Sequence, residues 1–184
     1  LGVGRSSVRE VLAALELIGV IERRAGDGTY ITDNLNSKAF SLIMTIFGQN
    51  NPVLFEARKV IEIGLASLAA EKATPADVEQ LELYLREMKA TIANQKRFIE
   101  IDLEFHLHLA TMSQNNFLEN MMLPLTNFLN AWREKSARSQ DSREKALLHH
   151  TKILAKIKES DPSGASAAMF EHLNQIQESF LKEG

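Results

Sequence analysis

The sequence predicts an all-α helical bundle of about six to seven helices, preceded by a short unit in which one helix leads into a small β-hairpin. Three observations carry this. Strand-like runs are confined to residues 20–32, where two short β-branched stretches flank Gly26-Asp27-Gly28. Beyond residue 36 the chain falls into helix-length segments separated by brief Gly, Pro, Asn and Ser breakers. The apolar residues inside those segments recur at helical spacing.

The first unit opens on a polar stretch and an amphipathic helix. Ser7 and Glu10 have capping-box spacing, in which each side chain satisfies a free amide at a helix start. Val8, Val11, Leu12, Leu15 and Ile18 then share one face, and Gly19 supplies a left-handed stop. Val20–Arg24 and Thr29–Thr32 read as the two strands of the hairpin. Arg5, Ser6 and Arg9 lie near the helix start, away from the apolar face. A helix start bearing Arg and Ser beside a β-wing suits a DNA major groove.

The stretch from Thr32 to Ser37 is polar and marks a boundary between a first domain at 1–34 and a second at 35–184. In the second, helices are predicted over 37–48, 52–73, 75–94, 97–114, 116–138, 142–159 and 162–182. Pro52 and Pro75 stand where a first helical turn tolerates proline. Short connections between successive helices point to a bundle.

Composition narrows the function. The chain has 184 residues, 45% hydrophobic and 24% charged, which suits a globular protein and excludes a disordered one. It has no cysteine, so disulfides and thiolate metal sites are ruled out, in keeping with a cytoplasmic protein. No run of about 18 apolar residues provides a membrane span. The net charge is −3, and residues 1–34 hold four arginines against five carboxylates, a net of −1. Affinity for phosphate must therefore come from local arginine placement, from the N-terminal residues expected to precede this sequence, and from dimerisation.

Five ionisable groups fall on faces that are otherwise apolar. In 97–114, Phe98, Asp102, Phe105, His106, Leu109 and Ala110 share a face. His150 shares one with Ala146, Ile153, Leu154 and Ile157, and His172 one with Ala165, Ala168, Met169, Leu173, Ile176 and Phe180. Arg58 sits among Leu54, Ile61, Leu65 and Leu68. Isolated in a core, each would cost several kcal/mol. Three histidines and one aspartate can satisfy one another around a cation, and imidazole with carboxylate suits Zn, Ni, Mn or Fe. Spacing alone leaves open whether these are metal ligands or hydrogen-bonded core residues. His149 falls off the apolar stripe and is expected to face solvent, His108 is expected at the periphery, and Phe128 and Trp132 in the core or a cavity wall.

Residues 1–31, from Leu1-Gly2-Val3-Gly4-Arg5-Ser6-Ser7-Val8-Arg9-Glu10 through Gly26-Asp27-Gly28-Thr29-Tyr30-Ile31, resemble the second half of the winged helix-turn-helix domain of GntR-type transcription regulators. The match implies that the winged helix is truncated, and because the chain starts on Leu1 a longer protein is expected. Residues 52–182 resemble the all-helical FCD effector domain of the FadR subfamily. The resemblance rests on Glu56-Ala57-Arg58 with Glu62, Asp102-Leu103-Glu104-Phe105-His106, Asn115 before Phe117-Leu118, His150, and Ala167-Ala168-Met169-Phe170-Glu171-His172-Leu173.

The resemblance implies a cytoplasmic, homodimeric regulator that reads a palindromic double-stranded DNA operator and answers to a small carboxylate. It implies a divalent metal, Zn ahead of Ni, Mn or Fe, on Asp102, His106, His150 and His172. Arg58, with Glu62 and Asn115 as weaker candidates, would meet the effector. Arg5, Ser6, Ser7, Arg9 and Gly26 would contact DNA, while Gly4 replaces the family's usual Ser or Thr. Glu62 could instead orient Arg58, and Asn115 could be a helix cap. Two other readings are a metal-dependent hydrolase and a metal-free, acyl-responsive regulator. The absence of a placed general base or nucleophile weighs against the hydrolase.

Overall fold

A computed structural model describes residues 4–32 and 52–182. The expected helix over 37–48 and the expected boundary at 34–35 lie outside the described residues. Helix α1 spans Arg5–Leu17, followed by strands β1 (Ile21–Arg24) and β2 (Gly28–Ile31). Helix α1 begins earlier than the Ser7–Glu10 spacing predicts: Gly4 is its N-cap and no side chain caps it. Ser7 therefore falls inside the first turn, and the capping-box reading is corrected. The stop at Gly19 is as expected, with φ of 75°. The Gly19 amide donates to Glu16 O and the Val20 amide to Leu15 O, the paired bonds of a Schellman end.

The hairpin pairs Ile21 with Ile31 and Arg24 with Gly28. Asp27 N donates to Arg24 O at 3.1 Å, and Gly26 takes φ of 76° within that turn. A side chain there would be strained. Thr32 Oγ1 donates to Gly19 O at 2.6 Å, and Arg23 Nε to Glu16 Oε2 at 2.6 Å, so the hairpin is tied back to the helix. The predicted apolar face of α1 is largely uncovered among the described residues, with Val8 and Val11 both exposed.

The second region contains seven helices among the described residues: α2 (Pro52–Lys72), α3 (Pro75–Ala90), α4 (Gln95–Met112), α5 (Asn116–Phe128), α6 (Asn130–Ser136), α7 (Gln140–Lys158) and α8 (Pro162–Lys182). The all-α bundle predicted here is observed. Helix α3 opens on a true capping box, Thr74 with Asp77, and has Pro75 in its first turn. It ends at Ala90 rather than at residue 94, because Asn94 is taken as the N-cap of α4, its Oδ1 accepting from Arg97 N. The single helix expected over 116–138 is two helices. Leu129 separates them, its amide turning back to Thr126 O in a three-residue step.

Helix α8 packs most extensively against α2 and α7, and α4 lies against α2, α3 and α5. One core runs through the bundle, with Phe55, Phe98, Phe105, Leu81, Met88, Met169 and Leu173 all fully buried. Trp132 stacks between Phe55 (4.6 Å) and Phe180 (3.7 Å), joining α2, α6 and α8. The side chain of Phe128 lies outside the described ones. Buried Arg143 donates to three carbonyls, Ile92 O (2.6 Å), Ala137 O (2.7 Å) and Arg138 O (2.8 Å). It thereby fastens the α3–α4 turn to the α6–α7 turn. No described helix is long and apolar enough to cross a membrane.

Candidate metal centre

Helix α4 places Asp102 and His106 one turn apart on its buried face, and α7 and α8 bring in His150 and His172. One ligand-capable atom from each of the four lies within 4.8 Å of every other, and all four residues are buried. His106 Nε2 is 3.2 Å from His150 Nε2 and 3.3 Å from His172 Nε2, while Asp102 Oδ1 is 3.3 Å from His150 Nε2. Donor atoms about 2.1 Å from one ion sit roughly 3.0–3.4 Å apart at neighbouring positions.

The protons explain why these atoms suit a cation. His150 Nδ1 donates to Ala146 O at 2.7 Å, so a neutral ring has its lone pair on Nε2. His106 Nδ1 lies against Glu62 Oε2, which can only accept, so a neutral His106 also turns a lone pair inward. Two lone pairs facing each other at 3.2 Å repel, and a shared cation turns that repulsion into coordination. Burial pushes His150 down to about 4, only partly offset by Asp102. Burial, with His150 and His106 beside it, carries His172 well below its usual value. At neutral pH both rings are therefore free bases, the form that binds metal.

The carboxylates stay charged. Burial opposes the Asp102 charge, but His106, His150 and Arg133 outweigh it and hold the carboxyl below its usual range. Burial likewise opposes Glu62, and Arg58 and His106 outweigh it. Glu62 bridges Arg58 Nε and His106 Nδ1 with its two oxygens, so it positions both groups.

Beside the cluster is a narrow cavity of about 20 Å³, partly open to solvent and lined among others by Arg58, Asp102, Arg133, Ser142 and Gln175. Arg58 is 1% exposed and its Nη2 has no hydrogen-bond partner. The structure thus brings Asp102, His106, His150, His172, Arg58 and Glu62 together. Asn115 is exposed, and its Oδ1 accepts from Phe117 N and Leu118 N, the work of an N-cap. His108 pairs with Asp77 (3.2 Å) outside the cluster, as expected. His149 departs from expectation: it is half-buried, its ring 6.1 Å from that of His172. On α1, Ser6 and Arg9 are exposed, while the side chains of Arg5 and Ser7 lie outside the described ones.

Sequence reading misses Arg133. It is buried, with its Nε 3.2 Å from Asp102 Oδ2. Flanked by Glu134 and Lys135, it looks like one member of a solvated charge run, and only the break at Leu129 shows otherwise.

Comparison with known proteins gives a consistent picture. Residues 53–175 match the FCD domain. The chain is 33% identical to the HTH-type transcriptional regulator LutR of Bacillus subtilis over 184 residues, covering 96% of this chain and 84% of that protein. It is 30% identical to the Uxu operon transcriptional regulator of Escherichia coli, covering 99% and 74% of the two chains. Among solved structures it is similar to a Streptococcus agalactiae GntR protein, with a TM-score of 0.70, 25% identity, and 96% and 82% of the two chains covered. It shares its fold with E. coli McbR/YncC, with a TM-score of 0.67, 17% identity, and 100% and 88% covered.

Proposed function

Since this chain belongs to the GntR family of transcriptional regulators, in the branch with an FCD domain, we propose that its helical region senses a small carboxylic acid at a divalent metal held by Asp102, His106, His150 and His172. Proteins of this family bind DNA operators, and the small acid would bias the homodimer between arrangements that space two winged helices differently. The carrying observation is the pair of imidazole Nε2 atoms facing each other at 3.2 Å, with at least one ring fixed by its Nδ1 bond to a carbonyl. A divalent cation, Zn before Ni, Mn or Fe, would supply a Lewis-acid centre with positions left for carboxylate oxygens.

The chain's own residues do the rest. Glu62 holds His106 in the tautomer that presents Nε2 and keeps Arg58 beside the cavity. Arg58 then offers N–H groups to an acid in a fork that matches a carboxylate. Five helices contribute (α2, α4, α6, α7 and α8), so an acid bound there touches elements from across the bundle. A regulator working on a metabolite acts in the cytoplasm, and Arg5, Ser6, Ser7, Arg9 and Gly26 are its proposed DNA contacts.

Elemental analysis of the purified protein tests the centre. One divalent ion per chain is expected, lost in His150→Ala and His172→Ala. A wild-type protein that takes up no Zn, Ni, Mn or Fe would refute the proposal.

A further inference from the structure

Arg133 has no part in the four-residue cluster, yet it is 5% exposed, and a buried cation is retained only where something answers its charge. Its Nε faces Asp102 Oδ2, but its Nη2 has no hydrogen-bond partner, and neither does Arg58 Nη2. Both arginines line the same cavity. A guanidinium keeps its charge at neutral pH, so both arginines bring a cation to that space. Two guanidiniums thus share one small space, each with a donor unused.

Charge counting sharpens this. Arg58 and Arg133 balance Glu62 and Asp102, all four buried. A divalent cation on neutral imidazoles adds two positive charges with no further carboxylate in the cluster to meet them. A ligand with a single carboxylate would leave one positive charge and one arginine unanswered, and unpaired buried charge is costly. A ligand with two carboxylates answers both.

We propose that the pocket selects a small dicarboxylate, one carboxylate taken by the metal and Arg58, the other received by Arg133. This rests on reading the centre as a metal-and-acid sensor. With the side chains as they stand the free volume of the cavity is about 20 Å³, so short diacids of three or four carbons are the ones to test. Asp102 links the two halves, since its Oδ1 faces the histidines and its Oδ2 faces Arg133.

The test is calorimetric titration of the zinc-loaded full chain with malonate and succinate against acetate and propionate, with zinc content measured in each sample. The diacids should bind about tenfold or more tighter than the monoacids, since a charge-assisted fork gained or lost is worth that much. Arg133→Gln should bring the diacids down to the monoacid level, and Arg133→Lys should restore part of the difference. The wild-type comparison stands by itself if Arg133→Gln fails to fold. Equal affinity for mono- and diacids, or unchanged diacid preference in Arg133→Gln, would overturn the dicarboxylate while leaving an acid sensor in place. Loaded protein that binds none of the four acids, or a chain that takes up no Zn, Ni, Mn or Fe, would overturn both.

Discussion

Glu62 Oε2 on α2 touches His106 Nδ1 on α4, and the other oxygen of the same carboxylate accepts from Arg58 Nε. One buried carboxylate therefore positions a proposed metal ligand and a proposed effector arginine together. Outer partners of this kind set ring orientation and ligand basicity, and their loss typically costs 10–100-fold in metal affinity.

Glu62→Gln keeps the shape but removes the charge, and the amide can turn its nitrogen toward His106. Metal affinity should fall by about 10–100-fold, measured by competition with a chromophoric chelator. The ligands themselves remain, so the site should weaken rather than vanish. Unchanged affinity would show that Glu62 serves only to pair Arg58.

The buried histidines make the metal-free protein acid-sensitive, and the sign follows from their protons. Unfolded, His150 titrates near 6.5; folded, near 4. As pH falls through 6.5 the unfolded chain gains a proton that the folded chain refuses, so stability drops from there down to about 4. Each such histidine contributes up to about 1.4 kcal/mol per pH unit in that window, and His172 acts in the same direction. Urea unfolding of metal-free protein should show lower stability at pH 5 than at pH 7.5. The difference should shrink in the His150→Gln, His172→Gln double variant; equal stability at the two pH values would contradict the buried neutral rings.

The bundle and the cluster were legible for one reason, the helical period. Asp102 and His106 are four residues apart, and His150 and His172 break otherwise apolar stripes, so the sequence exposes them as polar residues on a core face. The helix start near Ser7 was less legible, because the correct spacing for a capping box occurs there without the backbone using it. Arg133 was hidden by the break at Leu129, which resets the phase of the helix that follows. Arg143 was hidden as well, since its partners are main-chain carbonyls that leave no mark in side-chain pattern. Periodicity shows which side of one helix is buried; it does not show which two turns a long side chain will join.

Arg143 yields a prediction about stability rather than sensing. Arg143→Leu preserves apolar bulk but strands three carbonyls that now accept its N–H groups. Buried acceptors left unpaired cost about 1–3 kcal/mol each. Chemical denaturation should show a loss of about 3 kcal/mol or more. A change under about 1 kcal/mol would mean that water replaces the guanidinium at both turns.

Arg9 distinguishes two modes of DNA contact. It is exposed on α1, while Arg23 and Arg24 are paired with Glu16 and Glu22, so the hairpin arginines already have carboxylate partners within the unit. If Arg9 meets a phosphate, Arg9→Ala in the full-length protein should weaken operator and random DNA alike, and the slope of log affinity against log salt should fall by about one per half-site. If it meets a guanine edge, operator binding should lose about 1–3 kcal/mol while random DNA is almost unaffected. Either loss should be plain in electrophoretic mobility shifts run at several salt concentrations. Operator and random-DNA affinities that both match wild type would remove Arg9 from the interface.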